Sequence, residues 1–244
     1  MRTLRIYTPT ELQVGHAATL TDSAFKHLTE VLRTAVNDNV TLFNGDGYDY
    51  RGTVQQIEKK SCSIDLSDRV LLTNESPLRI HLLQSICKSD RMDYCIQKAT
   101  ELGVSSITPV ITQHGNVKHR GDRATKKHNH WQGVMTSACE QSGRATLPKL
   151  QAIATLAETL TVLAKDSSDK IVLAPNAKKS LKSYSVEREI YLLIGPEGGL
   201  AADEIALAEH NGFTTLSMGP RILRVETACS SAIASLQLLH GDWS

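Results

Sequence analysis

Over the first seventy positions, apolar residues come in short runs separated by turn residues. Leu4–Tyr7, Val40–Phe43, Tyr50–Ile57 and Ser63–Leu66 read as strands. Asn44, Gly45, Asp46 and Gly47 supply hairpin chemistry, because these residues tolerate the positive φ that tight turns demand. One helix is expected here, over Asp22–Leu32, where Phe25, Leu28, Val31 and Leu32 recur at three- and four-residue spacing. Short strands joined by tight turns predict a small β-barrel over residues 1–73. Thr73–Pro77, polar and closed by proline, is the expected linker.

Beyond the linker the rhythm changes to strand and helix in alternation. Strands are predicted over Ile80–Ile86, Ile107–Ile111, Ile171–Ala174, Tyr191–Ile194 and Phe213–Leu216. Helices are predicted over Asp90–Leu102 with Ser89 as its cap, Ala124–Ser142, Thr155–Ala164, Asp203–His210 and Glu226–Leu239. Runs such as Tyr191-Leu-Leu-Ile194 are apolar on both strand faces, which suits a parallel sheet covered on both sides. Residues 77–244 therefore read as an α/β domain. The last helix is rich in small residues, from Ala228 and Cys229 to Ala234 and Ser235, so it is either deeply buried or part of a subunit contact.

Two glycine- and proline-marked turns follow apolar strands in the C-terminal fifth: Gly195-Pro-Glu-Gly-Gly199 and Gly219-Pro-Arg-Ile-Leu-Arg224. On adjacent strands they would set two stretches of bare backbone side by side, at the carboxyl ends where α/β sheets bind ligands. Such a pocket suits a flat heterocycle, whose edge backbone N–H and C=O groups can read. The first turn lacks the Lys-Ser/Thr of a P-loop and the G-x-G-x-x-G spacing. Glu197 would also repel phosphate, which disfavours a nucleoside triphosphate or dinucleotide.

Charge adds a polyanion to this picture. The formal net charge of +1 hides a basic middle: residues 79–149 carry 11 Lys/Arg against 5 Asp/Glu, whereas residues 1–75 carry 8 against 10 and residues 150–244 carry 8 against 11. Lys118, Arg120, Arg123, Lys126 and Lys127 concentrate that excess, interleaved with histidines, as a nucleic-acid footprint would. The histidines lack a carboxylate cluster, so no metal site is expected. Five scattered cysteines without C-x-x-C spacing argue against a disulfide framework and a zinc knuckle. No apolar run reaches the length of a membrane span and no signal peptide is legible, so a cytoplasmic protein is expected.

Arg221, Arg224 and Glu226 crowd the second turn among apolar Ile222, Leu223 and Val225, which holds their charges near the pocket. Glu226 also sits in a helical first turn, where the dipole favours a carboxylate in any protein. Glu140 and Arg144, at i,i+4 spacing, read as an exposed helical ion pair.

These blocks resemble the RsmE family, uridine-N3 methyltransferases of 16S ribosomal RNA within the SPOUT superfamily. The resemblance spans the chain through Lys88-Ser-Asp-Arg-Met-Asp93, Gln97 to Val104, Glu140-Gln-Ser-Gly-Arg144, Ile194 to Leu200, and Leu216 to Ala228. Lys26-His-Leu28, Val31-Leu-Arg33 and Leu42 to Gly47 look like that family's PUA-like RNA-binding barrel. The resemblance implies a deep trefoil knot that binds S-adenosylmethionine, and a homodimer acting on the small ribosomal subunit. Leu173, Ile194, Gly195, Pro196, Glu197, Gly198, Gly199, Leu216, Met218, Gly219, Ile222 and Leu223 are the expected cofactor wall. Arg5, Arg33, Lys88, Arg91, Lys118, Arg120, Arg123 and Arg144 are the expected RNA contacts.

Uridine N3 is protonated at neutral pH, and presenting its anion costs about 3 kcal/mol for a pKa roughly two units above neutral. A guanidinium from Arg224 or Arg221 would stabilise charge spreading to O2 and O4, and Glu226 would accept the proton. The rivals are a SPOUT enzyme that methylates ribose 2′-OH and an RNA-binding assembly factor without catalysis. Arg224-Val-Glu-Thr-Ala228 stands where ribose methyltransferases carry a Ser-Leu-Asn-Val-Ser type of segment. The two glycine turns are intact, which disfavours loss of catalysis.

Overall fold

The computed structural model describes residues 4–115 and 122–243. The chain divides into two compact units, one made of Met1–Glu75 with Thr136–Leu147, the other of Ser76–Met135 with Pro148–Ser244.

In the first unit, β1 (Arg5–Tyr7), β2 (Ala17–Thr21), β3 (Asn39–Phe43), β4 (Tyr48–Ile57) and β5 (Ser61–Leu71) form a sheet in the order β1-β3-β4-β5-β2. Its ladder ends at β1 and β2, so among the described residues the expected barrel is a five-stranded sheet with an unpaired seam. Alternating inward residues, among them Leu42, Tyr50, Val54, Ile64 and Leu66, share one core. The expected helix is split into α1 (Asp22–Lys26) and a π-turn over His27–Val31. There Leu32 N–H reaches His27 O across five residues at 3.0 Å, and Leu28 turns inward.

Residues 136–147 belong to this unit although a division at residues 73–77 would leave them out. Cys139 and Ala145 bury against Phe43, the Tyr7 N–H donates to a Glu140 carboxylate oxygen at 3.1 Å, and Arg144 pairs with Glu75 at 2.5 Å. The expected Glu140–Arg144 pair does not form. Its helix ends at Ser142, and each side chain has a better-placed partner in this unit.

The second unit contains β6 (Arg79–Ser85), α2 (Ser89–Glu101), β7 (Ser106–Ile111), α3 (Asp122–Ser142, whose last turns lie in the first unit), β8 (Lys149–Leu150), β9 (Ala154–Thr155), α4 (Leu156–Leu163), β10 (Asp169–Leu173), β11 (Lys179–Ser180), β12 (Glu189–Ile194), α5 (Ala202–His210), β13 (Thr214–Ser217) and α6 (Val225–His240). Its sheet is parallel throughout, in the order β11-β13-β10-β12-β6-β7-β8, with β9 pairing β7. Consecutive residues face opposite cores: Leu82, Ile171 and Leu192 join one cluster, and Leu83, Val172 and Leu193 the other. This two-sided burial is why the strands read as continuous apolar runs.

Helix α2 presents Met92, Cys95, Ile96 and Ala99 to α6, which answers with Cys229, Ala232 and Ile233. The small residues of α6 admit that close approach, and Cys229 Sγ lies 4.0 Å from Cys95 O. Gln237, fully buried, donates to Leu102 O at 2.8 Å and accepts from Ser76 Oγ at 2.7 Å. Ser89 is the first helical residue of α2 rather than its cap, and Lys88 takes the flanking position. Thr155 caps α4 in a reciprocal box with Glu158.

Candidate active site

Strands β12 and β13, which lead into the two glycine turns, are not neighbours: β10 lies between them. This corrects the expectation of adjacent strands and adds a third exit, Leu173-Ala174-Pro175, to the site. The three loops wall a cavity of about 350 Å³ at the carboxyl ends of the sheet. Leu173, Ile194, Gly195, Pro196, Glu197, Gly199, Leu216, Met218, Gly219, Ile222 and Leu223 all line it. Gly198 does not; it faces the turn after β7, where a Cβ would meet His114 Cβ at 3.0 Å.

Backbone conformation explains the glycines that matter. Gly199 and Gly219 have φ of +72° and +88°, a region that costs residues with a Cβ, and open space lies where their Cβ atoms would stand. The floor is apolar, from Leu173, Ile194, Leu216 and Val225. Bare main chain over an apolar floor fits a flat nucleoside held by its edge. The turn after β7 braces the first loop: Gln113 N–H donates to Glu204 at 2.9 Å, Gln113 Nε2 donates to Asp203 at 2.9 Å, and a His114 ring nitrogen lies 3.1 Å from Gly199 O.

The mouth of the cavity is charged. Arg91, Arg221 and Arg224 line it, the last two exposed. Arg91, in the first turn of α2, lies 3.3 Å from Glu197 and 3.9 Å from Glu226. Glu197 also accepts the Lys88 N–H at 3.1 Å. Glu226 follows Val225 in the first turn of α6, and its Oε2 is buried without a hydrogen-bond partner. Glu226 itself does not line the cavity, although its neighbours Val225 and Ala228 do.

The thiols nearby are not nucleophiles. A hydrogen bond with Cys95 and burial push the Cys87 thiol far above the ordinary range, and a hydrogen bond with Cys229 does the same for Cys95. Both shifts favour the thiol over the thiolate, which disfavours a cysteine adduct on a base.

The expected RNA contacts separate into classes. Arg33, Lys88 and Arg123 are exposed. Lys118 and Arg120 lie outside the described residues. Arg5 and Arg144 are turned inward, with side chains 8% and 5% exposed, and pair with Asp49 and Glu75. Arg91 stands in the cavity wall. Ala174, Pro175, Leu200, Ile205 and Ala228 also line the cavity without having been singled out. The Ala-Pro pair ending the Ile171–Ala174 run was the available signal for the third loop.

Among the described residues no helix is long and apolar enough to cross a membrane, and no group of three or more His, Cys, Asp or Glu is placed to hold a metal ion.

Comparison with known proteins gives this geometry its relatives. Residues 74–237 match the RNA methyltransferase domain family, and residues 20–67 match the RNA methyltransferase PUA domain family. The chain is 34% identical over 244 residues to the ribosomal RNA small subunit methyltransferase E of Buchnera aphidicola (Schizaphis graminum), covering 98% of each chain. It is 28% identical over 248 residues to the Bacillus subtilis protein of that name, covering 96% of each. Among solved structures it is similar to a Neisseria gonorrhoeae ribosomal RNA small subunit methyltransferase E bound to S-adenosylmethionine, at a TM-score of 0.91 and 38% identity over 100% of both chains. A Legionella pneumophila protein solved with bound SAM is similar at a TM-score of 0.95 and 38% identity, over 99% of this chain and 100% of that one.

Proposed function

We propose, for a chain that belongs to the ribosomal RNA small subunit methyltransferase E family, that it methylates N3 of a uridine in 16S ribosomal RNA with S-adenosylmethionine as methyl donor. The observation that carries this reading is the main-chain-walled cavity at three strand ends, lined by the guanidinium groups of Arg91, Arg221 and Arg224. Leu173, the Ile194–Gly199 turn and Leu216–Leu223 would hold the cofactor, whose adenine and ribose suit the bare backbone and the apolar floor. When bound, it supplies an electrophilic methyl group.

The protein's own task is then to make N3 a nucleophile. The Glu226 carboxylate accepts the N3 proton, a transfer that requires hydrogen-bond reach before it requires a matched pKa. Arg224 or Arg221 stabilises the negative charge that spreads to O2 and O4. The first unit, residues 1–75 joined by residues 136–147, is the RNA-binding module, and the remainder of residues 76–244 is the methyltransferase domain. Exposed Arg33, Lys88 and Arg123 supply phosphate contacts. Arg5 and Arg144 are left out of that set because their guanidinium groups are already paired.

The deep trefoil knot belongs to this reading. It is supported by β12 inserting between β10 and β6, parallel to both, with β13 on the far side of β10. A cytoplasmic homodimer belongs to it as well, supported by the exposed Leu238, Leu239 and Trp243 at the end of α6 and beyond it.

The test is methylation of unmodified small-subunit RNA, free and assembled, followed by mass analysis of the nucleosides. N3-methyluridine is the expected product. A 2′-O-methyl nucleoside would replace this reading with ribose methylation, and RNA binding without methyl transfer would make the protein an assembly factor.

A further inference from the structure

We propose that Arg91 is the positioning residue for Glu226, holding the carboxylate in place by charge without saturating it with hydrogen bonds. The inference rests on the uridine-N3 reading above. It concerns a residue whose sequence context suggested only an RNA contact.

The geometry is specific. Arg91 Nε stands 3.9 Å from Glu226 Oε2, close enough for strong attraction and too far for a hydrogen bond. Oε2 is buried and has no hydrogen-bond partner. A carboxylate oxygen saturated by a guanidinium fork would be a poor proton acceptor, because its lone pairs would already be committed. Arg91 is kept from closing on Glu226 by a second carboxylate, since Glu197 Oε1 lies 3.3 Å from its Nη1. Glu197 is itself fixed by the Lys88 N–H at the entrance to α2.

One guanidinium thus spans two carboxylates, one from the turn after β12 and one from α6. Only arginine presents a rigid fork with donors on two edges. Arg221 and Arg224 are exposed and have no such anchor among the described residues, so they remain free to meet RNA. The arrangement assigns different work to the three arginines of the cavity mouth: Arg91 orients the base, and the other two face the substrate.

A double-mutant cycle decides it, because a positioning role must vanish when its target is removed. Wild type, Arg91→Ala, Glu226→Gln and the double variant are compared by single-turnover methylation at saturating RNA and cofactor. Cofactor affinity is measured by calorimetry and folding by thermal melting. Arg91→Ala is expected to lower the rate about 100-fold, as misplacement of a reacting group by an ångström does, with cofactor Kd unchanged within about threefold. In the Glu226→Gln background the same change is expected to cost less than about threefold. Arg91→Lys keeps the charge without the fork and is expected to fall between.

An equal loss with and without Glu226, or a loss matched by weaker cofactor binding, would overturn the proposal. Should Arg91→Ala fail to fold, the cycle with Arg91→Lys carries the same two outcomes. A wild-type protein that forms no N3-methyluridine would overturn the reaction itself, which the wild-type arm reports separately.

Discussion

Leaving a buried acceptor unsatisfied costs roughly 1–3 kcal/mol, so the fold gives up stability at Glu226 Oε2. Glu226→Gln is expected to lower the single-turnover rate by about 100- to 10,000-fold. A near-wild-type rate in quench-flow would remove Glu226 from the proton path. Gly219 is the complementary case, since its φ of +88° is strained for any L side chain while the space for a methyl group is open. Gly219→Ala should cost about 1 kcal/mol through conformation alone, measured by calorimetry, and should weaken cofactor binding in the same titration. Both residues were legible in the sequence, as a charged position among apolar ones and as a turn after a strand. Arg91 was not legible in this role. Nothing in a linear pattern says that the first turn of α2 and that of α6 meet across a cavity.

At the scale of elements, periodicity located the long helices and the central strands because burial on one or two faces writes itself into every second or third residue. It missed β8, β9 and β11, which are two residues long and carry no period, and β2, where Ala18 and Leu20 are the only buried positions. Strand order was the larger gap. Local pattern is blind to which strand lies between two others, so the place of β10 between β12 and β13 had to come from the structure. The amino ends of β6, β7 and β12 carry a network that tests sheet energetics away from the cavity: Arg79 and His81 both contact Glu189, and the other His81 ring nitrogen meets Ser106 Oγ at 2.7 Å. Burial alone would raise the Glu189 carboxyl, but the hydrogen bonds and charges of Arg79 and His81 outweigh it and hold it below its usual 4.5. A carboxyl depressed in the folded state contributes stability above its unfolded value, and loses it as pH falls through the lower folded value. Wild type should thus exceed Glu189→Gln in melting temperature at pH 7, with the gap closing as pH falls below 4.5. Arg79 is largely exposed, so the gap corresponds to no more than about 1 kcal/mol. A gap that persists unchanged at pH 3 would assign it to packing.

At the scale of the whole molecule, the charge asymmetry of the chain was readable from composition, but the division of labour among its basic residues was not. Arg144 counts toward the basic stretch in sequence, yet it is committed to Glu75 in space, as Arg5 is to Asp49. Membership of residues 136–147 in the first unit was hidden for the same reason, because a helical pattern does not name the partner its last turns bury against. Removing those two paired arginines from the RNA count leaves a sharper electrostatic prediction. Arg123 and Lys126, exposed on the first turns of α3, should contact phosphate, whereas Lys127 already donates to Ser89 Oγ at 2.6 Å. Each phosphate contact with single-stranded RNA contributes about 0.7 to the slope of log affinity against log salt. Arg123→Glu combined with Lys126→Glu should then flatten that slope by about 1.4 for two lost contacts and weaken RNA binding most strongly at low salt, with cofactor affinity unchanged. Filter binding across a salt series measures it, and Arg5→Gln serves as the contrast, since it should lower stability through Asp49 without moving the slope. A slope that falls for Arg5→Gln and holds for the α3 pair would shift the RNA path off the first turns of α3 and toward the first unit.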